Sequence, residues 1–131
     1  MKKVLSVLVL LLGLTSFAQE ESTCGQLPYA KVDQKAELTM KLDELIKKDL
    51  PSTLREDGEQ TAVFKMYVDC HGEVAKYKVE RSTMTDADQK WLWKLIGKTT
   101  WKAAKLDKNT VTSLVFITVT VTNGQVEVLI Q

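Results

Sequence analysis

The stretch "VTSLVFITVTVTNGQVEVLIQ", Val111 to Gln131, constrains this chain more than any other. Val111, Val115, Ile117, Val119 and Val121 alternate with Thr112, Leu114, Phe116, Thr118, Thr120 and Thr122. A period of two marks a strand with one face buried, and β-branched residues suit that pleated surface. Asn123-Gly124 then supplies two residues that tolerate positive φ, as a two-residue hairpin turn requires. "QVEVLIQ" is therefore expected to return as a second strand along the first.

A second hairpin is legible upstream. Ala62, Phe64, Met66 and Val68 alternate with Val63, Lys65, Tyr67 and Asp69, and Ala75, Tyr77 and Val79 alternate with Lys76, Lys78 and Glu80. The loop between them is Asp69-Cys70-His71-Gly72, which places the only histidine of the chain at a hairpin tip.

Helical spacing fills the intervals. Leu38, Leu42, Leu45 and Ile46 predict an amphipathic helix from Gln34 to Leu50, stopped by Pro51. "STLREDGEQ" reads as a polar connector. In "STMTDADQKWLWKLIGKTTW", Thr85 is a good N-cap, and Asp86 and Asp88 face the positive end of the helix dipole. Gly97 suits the C-terminal stop, with Lys94 and Lys98 at the negative end. Ala87, Trp91, Leu92, Leu95 and Ile96 share one face of the wheel. Trp93 points away with Gln89, either as a contact residue or as an indole lying over lysine stems. Trp101, past the helix, is expected in the core. The order helix, strand, strand, helix, strand, strand predicts an α+β two-layer sandwich. Its antiparallel sheet would have three to four strands, with two helices packed on it.

The first eighteen residues, "MKKVLSVLVLLLGLTSFA", have the form of a secretory signal. Lys2 and Lys3 make the basic n-region, Val4 to Leu14 the apolar run, and Ser16-Phe17-Ala18 a cleavage site. The apolar run is shorter than the roughly 17–25 residues of a spanning helix. The reading is thus a signal peptide over residues 1–18, an irregular lead-in over 19–32 and one domain over 33–131, exported to the periplasm without a permanent membrane anchor. The chain has 18 Lys and Arg against 17 Asp and Glu, and two of the lysines belong to the leader. Such a near-neutral domain carries no basic stripe for nucleic acid.

Cys24 and Cys70 both follow the cleavage site and would meet an oxidising compartment. One bridge between them would close a loop for which chain entropy sets an upper figure of about 4 kcal/mol. The competing chemistry is weak. His71 has no orienting group for a nucleophile such as Ser82, and Cys24, Cys70 and His71 are three ligands where a closed zinc site takes four. No catalytic residue, metal site or cofactor is expected.

Val68-Asp69-x-x-Gly72-x-Val74-x-x-Tyr77-x-Val79-x-x-Ser82, the acid-capped helix, Trp101-Lys102-Ala103-Ala104 and the β-branched strand together resemble the TonB carboxy-terminal domain family. The resemblance runs from about Ala62 to Val121. Ala103 stands where the family has proline, and Gln60 where a glycine often precedes the first strand. The resemblance implies the TonB-like fold and a binding function without catalysis. Family transducers capture a receptor segment by adding it as a strand to a sheet edge, for which main-chain hydrogen bonds suffice. The corresponding partner-binding candidates are Val111, Thr112, Leu114, Phe116, Thr118 and Thr120, with Trp93 as a separate contact residue. "QVEVLIQ" is expected to occupy that edge. The chain also lacks the long proline-rich spacer of a transducer. The expectation is an exported, non-enzymatic envelope protein that binds a protein or peptide, with an outer-membrane receptor among the candidates. A membrane-anchored energy transducer supporting receptor transport is the alternative if the leader is retained.

Overall fold

The computed structural model describes residues 28–56 and 58–131. The leader and Cys24 lie outside them. In chain order the elements are β1 (Glu37–Leu38), α1 (Leu42–Lys48), α2 (Ser52–Arg55), β2 (Glu59–Val68), β3 (Val74–Ser82), α3 (Asp86–Gly97), β4 (Trp101–Lys102), β5 (Ala104–Leu106), β6 (Asn109–Val111), β7 (Ser113–Thr122) and β8 (Gln125–Ile130). The main sheet has the order β3-β2-β7-β8, with every neighbouring pair antiparallel. Two short antiparallel ladders, β1 with β4 and β5 with β6, complete an α+β architecture with three helices among the described residues.

The period-two pattern decides where the core sits. Ala62, Phe64, Met66 and Val68 of β2 are buried together with Val115, Ile117, Val119 and Val121 of β7. Leu42 and Ile46 of α1, Leu54 of α2, and Leu92 and Ile96 of α3 belong to the same buried cluster. Each of these Val, Leu, Ile, Phe and Met side chains contributes roughly 1.5–3 kcal/mol when removed from water. The helices therefore cover one face of the sheet.

Local chemistry sets the boundaries. The Thr85 hydroxyl accepts from Asp88 N at 3.2 Å and caps α3. The buried Asp88 carboxylate in turn accepts from the Thr53 hydroxyl, whose oxygen lies 2.7 and 2.6 Å from the two carboxylate oxygens, so α2 is tied to α3. At the second hairpin Asn123 and Gly124 have φ of 51° and 80°. Asn123 also accepts through its side chain from Gly58 N at 2.8 Å and donates its own N–H to the Gly58 carbonyl at 3.0 Å.

The structure corrects four expectations. Three helices are described where two were expected, because Ser52–Arg55 of the expected polar connector is helical and buries Leu54. The helix expected over 34–50 exists only as Leu42–Lys48, because Glu37–Leu38 pairs with Trp101–Lys102 and Gln34 with Lys105. The strand expected from Val111 is divided: Val111 pairs with Ala104 in β6, and β7 begins at Ser113. Ala87 is exposed rather than on the core face of α3, and Gln89 is half-buried.

Candidate functional site

The Cys70-His71 tip is built for shape. The Asp69 carboxylate accepts from His71 N at 2.8 Å and Glu73 N at 3.0 Å, so one acid folds the turn back on itself. Gly72 follows with φ of 81° and is buried. Its carbonyl accepts from Trp101 N at 2.8 Å, which fastens the tip to the segment after α3. Trp101 is buried, as expected of a core residue, and its Nε1 donates to the Thr99 hydroxyl at 2.9 Å. Asp69, Gly72 and Trp101 therefore hold the tip together, and His71 is left exposed.

Among the described residues, the buried polar side chains are Asp88, Thr99 and Ser113. The Asp88 carboxylate accepts from the Thr53 hydroxyl, and Thr99 bridges Trp101 to the Ile96 carbonyl, to which it donates at 2.6 Å. Ser113 Oγ has no hydrogen-bond partner among the described residues. No group of three or more His, Cys, Asp or Glu among the described residues is placed to hold a metal ion.

Cys70 carries no free thiol. Its candidate partner Cys24 lies outside the described residues, which begin at Pro28. Tyr29 pairs with Ser113, and Ser113 pairs with Val68, so Tyr29 lies at the same end of the sheet as the Cys70 tip.

Among the described residues no helix covers the sheet's other face, whose central side chains are half-buried. Val63, Lys65 and Tyr67 of β2 lie opposite Thr118, Phe116 and Leu114 of β7, and none of these six belongs to the core cluster or packs against it. On the outer strands Arg81, Lys78 and Lys76 oppose Val63, Lys65 and Tyr67, while Leu129 opposes Thr118. The result is an apolar centre of Val63, Tyr67, Leu114 and Phe116, flanked on one side by cations. Leu129, 53% exposed, extends it on the other.

The two edges of this sheet differ. On β3 the register with β2 slips twice, leaving Glu80 and Ala75 as extra residues, so the strand is bulged as well as charged. Bulges and lysines both discourage a further strand from pairing. The β7–β8 register runs unbroken from Thr122–Gln125 to Ile117–Ile130, which makes β8 the regular edge.

The candidate docking strand is thus occupied on both sides. β2 pairs with all of β7, and β8 pairs with Ile117 to Thr122. The Thr112 carbonyl accepts from Tyr29 N at 2.9 Å, and Val111 packs against the core from β6. Leu114, Phe116, Thr118 and Thr120 reach solvent only through their side chains on the open face. Trp93 lies away from this face. It is 37% exposed, with its ring 5.0 Å from Tyr77 at 89°, an edge-to-face pair on the helical side.

Sequence reading did not find the cationic margin, because alternating Lys76 and Lys78 look like any solvated strand face. The opposition of Lys65 to Lys78 depends on a register that two bulges determine. No family model, no curated protein and no solved structure matches this chain.

Proposed function

We propose that the chain is an exported, non-enzymatic protein of the cell envelope whose TonB-like domain binds a protein or peptide partner through the open face of its sheet. The observation that carries this reading is the apolar row of Tyr67, Leu114 and Phe116 on a face that no helix among the described residues covers. An aromatic and aliphatic patch rimmed by charge is the usual composition of a contact surface. β8 lies along the β7 edge from Ile117 to Thr122, so contact through side chains is favoured over strand addition at that edge. Among the described residues no helix is long and apolar enough to cross a membrane.

A photo-crosslinking residue in place of Phe116 tests the proposal in envelope preparations. The expected result is one discrete adduct that is absent when the same group replaces exposed Lys108. Equal labelling from both positions would remove the open face as the contact surface.

A further inference from the structure

We infer that the cationic side of the open face takes an extended acidic segment of the partner protein. This rests on the partner-binding reading above and specifies the partner's chemistry. Lys65 and Lys78 are directly opposed across β2 and β3, and Lys76 is directly opposed to Tyr67 one step along the same face. Opposed residues in an antiparallel pair hold their Cβ atoms roughly 4.5–5.5 Å apart, and like charges in that arrangement destabilise the sheet. Among the described residues the one ion pair is Lys41 with Glu44, remote from this cluster. The repulsion between Lys65 and Lys78 is thus left uncompensated within the described fold, in a chain whose total charge is close to zero.

The surface here is also concave. A recess of about 440 Å³ is lined by Lys65, Met66, Tyr67, Lys76, Tyr77 and Lys78. That shape suits individual acidic side chains better than a flat lipid surface. The spacing suits an extended peptide as well. Lys76 and Lys78 are two residues apart on a strand, roughly 6.6 Å, which is the spacing of same-face side chains in any extended chain. A segment with acids at alternate positions would meet the lysines in turn, with its intervening side chains turned away from the sheet. Opposite charge at the margin would also speed encounter.

The test uses the full chain and three fluorescent decapeptides. One alternates Asp with Val, one replaces each Asp by Asn, and one has the composition of the first with its acids contiguous. The alternating acidic peptide is expected to bind at least about tenfold more tightly than the Asn peptide, with affinity falling several-fold as salt is raised. It is also expected to bind more tightly than the contiguous one. Lys78→Glu should weaken that binding about tenfold while raising the melting temperature by about 2–4 °C, since it turns a repulsive cross-strand pair into an attractive one. Equal binding of the acidic and Asn peptides would overturn the inference, as would preferential binding to phosphatidylglycerol vesicles over all three peptides. The Phe116 crosslink keeps the two proposals separable. An adduct that persists unchanged in Lys78→Glu leaves partner binding standing and removes the acidic segment. Loss of the adduct in that variant, with its higher melting temperature, supports both.

Discussion

A side chain at position 72 would collide with Trp101: a Cβ built on Gly72 falls 1.9 Å from the Trp101 carbonyl oxygen. The Trp101 N–H donates to the Gly72 carbonyl at 2.8 Å, so the approach of the two backbones is itself a bonded contact. This one juxtaposition gives the glycine and the tryptophan a shared structural role. The glycine is required by what packs on it as much as by its positive φ of 81°.

Gly72→Ala should therefore be among the most damaging single changes in the protein. Left-handed backbone costs a non-glycine residue about 1–3 kcal/mol, and the clash with a main-chain atom adds to it. A loss of at least about 3 kcal/mol is expected in a denaturant melt. Asp69→Ala, which removes an acceptor from two backbone N–H groups, should cost about 1–2 kcal/mol. If Gly72→Ala cost less than Asp69→Ala, the Trp101 contact would not be holding the tip.

The bridge between Cys24 and Cys70 is proposed on the same part of the fold. Tyr29 lies across β7 from Val68, roughly two strand spacings or 10 Å away, and the five residues from Cys24 to Tyr29 span up to about 17 Å. The lead-in can therefore reach the hairpin tip. Peptide mapping of unreduced exported protein should recover one linked pair, and reduction should lower stability by up to about 4 kcal/mol. Two thiols titrating in the denatured, unreduced sample would rule the bridge out.

Trp93 occupies a middle position between core and free contact residue. It is 37% exposed, yet it meets Tyr77 edge-on, and such pairs are worth about 0.5–1.5 kcal/mol beyond burial. Trp93→Ala should cost about 1 kcal/mol, and most of that loss should disappear in a Tyr77→Leu background. A loss above about 3 kcal/mol would mean that the indole is a core element.

What the sequence disclosed and what it hid follow from the range of the interactions involved. The hairpins at Asp69–Gly72 and Asn123–Gly124 were legible because their turn chemistry and alternation are local. The Thr85 cap was legible for the same reason. The segment over 34–41 was not, because Leu38 fits a helix wheel and a strand equally well. Its conformation is decided by Trp101, its partner in β1–β4 and more than sixty positions away. Ala87 misled because alanine tolerates either side of a helix. The strand edge was half legible: β8 was expected along β7, but the two bulges of β3 leave no trace in its alternating pattern. The Lys65–Lys78 opposition, which depends on those bulges, was hidden with them.

β8 covers the β7 edge from Ile117 to Thr122. β8 contributes Val126 to the core and packs Val128 against it, so a chain cut after Thr122 loses stability as well as a strand. Circular dichroism must first show that it retains the sheet. In that form Ile117 to Thr122 would present unpaired backbone groups, a template for an incoming strand. The truncated protein is expected either to double its mass in solution or to bind extended peptides more tightly than the full chain does. Strand addition of this kind depends on main-chain hydrogen bonds, so it should be indifferent to Lys78→Glu and to whether the peptide carries Asp or Asn. Binding on the open face depends on both. Full-length protein that binds Asp and Asn peptides alike, as tightly as the truncated form and regardless of Lys78, would show that β8 is no barrier. Docking at the regular edge of β8 would then be the better account of how this protein meets its partner.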